Sequence, residues 1–144
     1  MFSPSRDQAR DFLFEAWRKF ASHEPLTALE TIAVEAISQH PEYQALLSNR
    51  DKYVERDYAP EHGETNPFLH LSMHLAIREQ IAIDQPKGVR AAHQQLSQKL
   101  DSVLDAEHQM MDCLAEMIWQ AQRGKTAPDA AIYLSCLARK TATG

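Results

Sequence analysis

The stretch 66-NPFLHLSMHLAIREQ-80 predicts the helix around which the rest of the chain is organised. Asn66 is a residue type that caps helix N-termini. Pro67 suits the first helical position, because its φ is already helical and an N–H there would lack a partner. Leucine and isoleucine recur on most sides of the segment as far as about Asp84, which is typical of a buried helix. The pattern therefore predicts a central helix over residues 67–84.

Two histidines lie on the inner face of this predicted helix. His70, His74, Ile77 and Ile81 share one stripe, with the i, i+4, i+7, i+11 spacing of a core-facing surface. Burying one polar side chain requires a partner, and burying two on successive turns requires a specific arrangement. The pair therefore indicates a metal site, a proton-handling site or a hydrogen-bond network.

Helical periodicity extends over most of the chain, which has only four glycines. Thr27 and Glu30 form a capping-box pattern before a second apolar stripe, which ends at Pro41. Residues 49–66 have no clean period, and loops of this length are usually functional or disordered. We predict an all-α fold: a single domain over residues 1–144, built as a helical bundle of about six helices with a long loop at 49–66.

Composition restricts the class of protein. The formal net charge of −5 argues against a surface that binds nucleic acid or an anionic membrane. No apolar run approaches the roughly 18 residues that a membrane helix needs, and the first residues lack a signal-peptide pattern. Cys113 and Cys136 have no close-spaced partner, so we expect two thiols rather than a zinc motif or a disulfide framework. These features predict a cytoplasmic protein.

Three further polar side chains are predicted to face the interior. His93 falls on the apolar side of one helix, His108 shares a face with apolar residues of the next, and Glu107 lies on that helix's a/d seam. An isolated carboxylate is costly to bury, and bundle metal sites are built from imidazoles and carboxylates on facing helices. The candidate ligands of a transition-metal ion (zinc, iron or manganese) are therefore His70, His74, His93, His108 and Glu107.

The remaining histidines carry weaker signals. His40 precedes Pro41 at a helix junction, where we expect a capping role. His62 and Glu64 lie in the 49–66 loop, where solvent exposure is the simpler interpretation and a contribution to the metal site is the alternative.

Several segments resemble a family of small proteobacterial proteins. They are HPEY (40–43), ERDY (55–58), PEHGETNPFLHLSMHLAIREQ (60–80), QPKGVRAAH (85–93), AEHQMMDCLAE (106–116) and IYLSCL (132–137). The family is described only as a domain of unknown function, number 1841 in that series. The resemblance covers nearly the whole chain and implies a small bacterial cytoplasmic protein, but no activity, substrate or ligand set.

The sequence supports two hypotheses of different class. The first is a metal-binding helical bundle whose core histidines and glutamate hold a transition-metal ion. The second is a non-catalytic protein-interaction module, in which a metal-free buried histidine network organises the core. Its acidic surface and the 49–66 loop then recognise a protein partner or a second copy of the chain. For the histidines themselves, partial exposure to solvent is a third interpretation. The metal content of native protein distinguishes the two hypotheses.

Overall fold

A computed structural model describes residues 6–53 and 66–142, and every regular element in these ranges is a helix. This confirms the predicted all-α class. The helices are α1 (Arg6–Ala21), α2 (Ala28–Ser38), α3 (Pro41–Leu47), α4 (Arg50–Tyr53), α5 (Pro67–Ile83), α6 (Val89–Leu100), α7 (Val103–Gly124) and α8 (Ala130–Ala142). None of these described helices is both long and apolar enough to span a bilayer.

The segment predicted as a long loop is helical near its beginning. Residues Arg50–Tyr53 form the single turn α4, which the sequence pattern did not predict. Residues 54–65 of this segment, with His62 and Glu64, lie outside the described ranges.

Two compact units divide the chain, one of residues 1–76 and one of residues 77–144. The boundary falls inside α5, so this helix belongs to both units. The prediction that residues 1–144 form a single domain stays a prediction.

The first unit is organised around an apolar core. Helix α1 packs on α2 and α3, and the first turns of α5 contribute three of the buried side chains. The buried core residues are Leu13, Phe14, Ala16, Ala33, Val34, Ala36, Ile37, Leu47, Phe68, Leu71 and Leu75. Arg10 is buried beside them: it is 2% exposed, and its guanidinium lies 4.4 Å from the centroid of the Phe68 ring.

Local capping fixes where α2 and α5 begin. The Thr27 side chain accepts from the Glu30 N–H, and the Glu30 carboxylate accepts from the Thr27 N–H, which confirms the predicted capping box. The Asn66 Oδ1 accepts from the N–H groups of Phe68 and Leu69, at 3.0 and 3.1 Å. Both helix starts are therefore determined by residues within one turn of sequence.

In the second unit, α6, α7 and α8 pack on one another. Tyr133 of α8 is fully buried, and its hydroxyl donates to the Gln80 Oε1 of α5 at 2.7 Å. The other buried residues are Ile77, Val89, Leu96, Ala106, Glu107, Met110, Met111, Cys113, Leu114, Ala121, Cys136 and Leu137.

The cysteines form a disulfide, so the expectation of two thiols is wrong. Cys113 of α7 and Cys136 of α8 are bonded, with their Cα atoms 5.5 Å apart. The cysteines are separated by 23 residues in sequence, but α7 and α8 pair in antiparallel fashion, which places the two side chains opposite each other. Close spacing along the chain was therefore the wrong criterion for this pair.

Candidate metal centre

Three imidazoles of the first unit converge at their Nε2 atoms. The Nε2 of His40 lies 3.1 Å from that of His70 and 3.2 Å from that of His74, and the last two are 3.2 Å apart. His74 is fully buried, His40 is 4% exposed and His70 is partly exposed. The three nitrogens form a nearly equilateral triangle, and the described residues of this unit add no carboxylate to the group.

Local sequence places each ring. His70 and His74 are four residues apart on α5, so their side chains lie one above the other on the same helix face. His40 is the residue between α2 and α3, where Pro41 at the first position of α3 forces the preceding residue out of helical geometry. The backbone of His40 is accordingly non-helical, with φ −126° and ψ 73°. The helix break thus turns its ring towards α5.

The hydrogen on the His40 ring is placed by its second nitrogen. The Nδ1 of His40 lies 2.7 Å from the Ala36 carbonyl oxygen, one of the last carbonyls of α2. A carbonyl oxygen only accepts, so Nδ1 carries the hydrogen. In neutral His40, the Nε2 that faces His70 and His74 therefore carries a lone pair and no hydrogen. Metal-binding histidines commonly donate their other N–H to a backbone carbonyl in this way.

A triangle of three neutral imidazole nitrogens cannot satisfy all its edges by hydrogen bonds. Each Nε2 is either a donor or an acceptor, and with only two roles for three atoms, at least two neighbours must share a role. Two lone pairs, or two N–H groups, then face each other at 3.1–3.2 Å. A single cation between the three nitrogens removes this conflict, because all three lone pairs then point at positive charge.

The separations suit a transition-metal ion. With metal–nitrogen distances of about 2.1 Å, neighbouring ligand atoms stand about 3.0 Å apart in an octahedral arrangement and about 3.4 Å apart in a tetrahedral one. The observed separations, 3.1–3.2 Å, lie between these values. Imidazole nitrogen is a ligand for zinc, iron, copper and nickel, whereas magnesium and calcium prefer oxygen.

Tyr43 lies against two of the three histidines. Its ring is parallel to that of His40, with centroids 5.4 Å apart, and meets the His70 ring edge-on at 5.9 Å. Burial raises the pKa of the Tyr43 phenol, and the charge of Glu42 adds to this rise. The phenol is therefore neutral near pH 7, and Tyr43 packs beside the rings as an uncharged side chain.

Of the five ligands predicted from sequence, the first unit contains His70 and His74, which the structure brings together. Glu107 lies in the second unit, where its carboxylate accepts from the Arg78 Nε at 2.9 Å. The Glu107 side chain is 4% exposed and the Arg78 side chain is 14% exposed, so Arg78 supplies the partner that a buried carboxylate requires.

His93 and His108 also lie in the second unit. Each residue as a whole is partly exposed. Burial lowers the pKa of His93, an effect that the Glu107 carboxylate opposes and Arg78 reinforces. The His93 Nε2 is buried and has no hydrogen-bond partner within residues 6–53 and 66–142. The Nε2 of His108 is also buried.

Sequence reasoning missed His40. The sequence predicts a capping role for it, yet its side chain caps no N–H of α3. Its Nδ1 donates to the Ala36 carbonyl oxygen, and its Nε2 faces His70 and His74. The available signal was a histidine held outside helical geometry by Pro41, immediately after an apolar helix. That signal places the ring at a helix junction but does not name the helix it faces.

The described helices and the three-imidazole cluster define an all-α protein with a candidate transition-metal centre. The model of the family described as Domain of unknown function (DUF1841) matches residues 5–139, and the chain belongs to this family. The match confirms the family predicted from the sequence segments. No curated protein and no solved structure matches the chain. Any assignment of function therefore depends on the chemistry of the site itself.

Proposed function

We propose that this protein binds one transition-metal ion through the Nε2 atoms of His40, His70 and His74. The observation that carries the proposal is the triangle of nitrogens 3.1–3.2 Å apart, with the His40 lone pair directed inward by the Nδ1 bond to Ala36. Among zinc, iron and manganese, zinc and iron suit an all-imidazole set better, because manganese prefers oxygen ligands. Three protein ligands leave at least one coordination position for another group, as in catalytic metal sites.

Purified native protein is expected to contain about one zinc or iron ion per chain. Elemental analysis of protein prepared without added chelator or metal measures this ratio. Chelation should lower the melting temperature, because an ion that binds only the folded state stabilises it by about 2.7 kcal/mol at one hundred times its Kd. A ratio below about 0.1 that stays there after reconstitution with each metal argues against the proposal.

His108, predicted from the sequence as a metal ligand, lies in the second unit on the apolar face of α7 with its Nε2 buried, and its role as a ligand stays a prediction. His108→Ala is then expected to weaken metal affinity by roughly tenfold to a hundredfold, measured by competition with a chromophoric chelator. The matched control is His23→Asn, which removes an exposed imidazole of the first unit at a φ of 58° that asparagine tolerates. Equal affinity in His108→Ala and His23→Asn removes His108 from the site and leaves the three-histidine proposal intact.

The second hypothesis, a metal-free histidine network in a protein-interaction module, has one observation in its favour. The nitrogen separations are also hydrogen-bond distances. Such a network leaves one edge of the triangle repulsive, and for this reason we place it second. Metal-free protein whose stability does not respond to added metal is the result that favours it.

A further inference from the structure

The disulfide of the second unit is unequally accessible at its two sulfurs. Cys113 is fully buried, whereas Cys136 is 6% exposed and lines a shallow surface groove of about 360 Å³. The other residues that line this groove are Asp112, Glu116, Arg139 and Lys140. A small molecule in the groove therefore reaches the bond from the side of Cys136.

Helix α8 has attachments besides the disulfide. Tyr133 and Leu137 are buried in the core of the unit, at 0% and 1% exposure. The Lys140 Nζ donates to the Gln109 Oε1 of α7 at 2.7 Å, and the Lys99 Nζ of α6 donates to the Lys140 carbonyl oxygen at 2.7 Å. None of these contacts involves the sulfur–sulfur bond, so we expect α8 to stay attached when the bond opens.

The charges around the groove are balanced. Arg139 lies 3.6 Å from Glu116, and the Lys140 Nζ lies 3.6 Å from the Asp112 carboxylate. Arg139 and Lys140 follow Cys136 by three and four residues, so they lie on the same face of α8. The two cations are balanced by the two carboxylates, so the groove is close to neutral and does not repel a negatively charged thiol.

We propose that the Cys113–Cys136 disulfide is an exchange site for small thiols of the glutathione class, with Cys136 as the sulfur that is attacked. The incoming thiolate forms a bond to the Cys136 Sγ, the Cys113–Cys136 bond breaks, and its electron pair leaves with the Cys113 Sγ, which takes up a proton. A second thiolate then attacks the sulfur of the bound thiol. This releases Cys136 as a thiol and forms the external disulfide, so the pair gains two electrons and two external thiols lose them.

The buried cysteine makes the reaction reversible within the protein. While the mixed disulfide is on Cys136, the Cys113 thiol can reattack the Cys136 sulfur and expel the small thiol. In a reducing cytoplasm, the location predicted from the sequence, this exchange sets how much of the bond is open.

Two single-cysteine variants test the assignment on folded full-length protein. Cys113→Ala leaves the groove cysteine free, and Cys136→Ala leaves the buried one. With oxidised glutathione at neutral pH, we expect Cys113→Ala to form the mixed disulfide at least about tenfold faster than Cys136→Ala. Intact-protein mass spectrometry measures both rates. Equal rates, or a faster reaction of Cys136→Ala, overturn the proposal. Helix content by circular dichroism verifies that both variants are folded.

The wild-type protein provides a second test that needs no variant. Native protein is treated with reduced glutathione, quenched with acid and digested, and the mixed disulfide is mapped to a peptide. The proposal expects the adduct on the peptide that contains Cys136, with helix content retained. Reduction that occurs only in denaturant, or an adduct on Cys113, contradicts it and leaves a purely structural disulfide.

Discussion

Replacing His40 with alanine is expected to weaken metal binding by at least about a hundredfold, because one of three converging nitrogens is lost. The two imidazoles that remain belong to the HxxxH pair of α5, which provides only two ligands. Competition titration with a chromophoric chelator measures the change, and cobalt substitution reports the coordination through its visible absorption. His23→Asn is the matched control and should bind metal as the wild type does.

The stability of the same variant separates a ligand role from a structural one. In chelator, His40→Ala loses the Nδ1 bond to Ala36, worth about 1 kcal/mol, but it also relieves the repulsive edge of the nitrogen triangle. With metal present, the wild type gains binding energy that the variant lacks, so the stability gap between them should widen. A gap that is the same with and without metal, together with unchanged affinity, shows that His40 only supports the junction between α2 and α3.

Removing the Glu107 carboxylate is expected to cost about 3–5 kcal/mol of folding free energy in Glu107→Leu. The carboxylate and Arg78 are 4% and 14% exposed, so the variant leaves the guanidinium charge of Arg78 buried without this partner. In the double variant Arg78→Leu with Glu107→Leu, both charges are gone, and most of the loss should be recovered. Urea unfolding followed by circular dichroism measures all three proteins, with Glu35→Leu as an exposed control on α2.

The metal content of Glu107→Leu tests whether Glu107 is also a metal ligand. Glu107 was predicted from sequence as a ligand, whereas the Arg78 ion pair accounts for its burial without a metal. We expect the variant to keep the wild-type metal ratio. The carboxylate is instead identified as a ligand if two results coincide: the metal-to-protein ratio of Glu107→Leu falls, and the double variant does not recover stability.

The sequence by itself determined the features that depend on neighbours within a turn or two. The capping box of Thr27 and Glu30 and the start of α5 at Asn66 and Pro67 were predicted correctly, because each is set by side chains that bond to backbone groups nearby. The approach of His70 to His74 also followed from sequence, since the helical repeat alone places residues four apart on one face.

Only the tertiary structure decided which groups meet across long separations in the chain. The ring of His40 faces an α5 histidine 30 residues away, and Glu107 pairs with an arginine 29 residues away. The disulfide likewise joins cysteines 23 residues apart. Periodicity shows which face of a helix is buried but not which helix covers it, because that choice follows from how whole faces pack together. The identity of the third histidine and the partner of each cysteine are therefore consequences of packing.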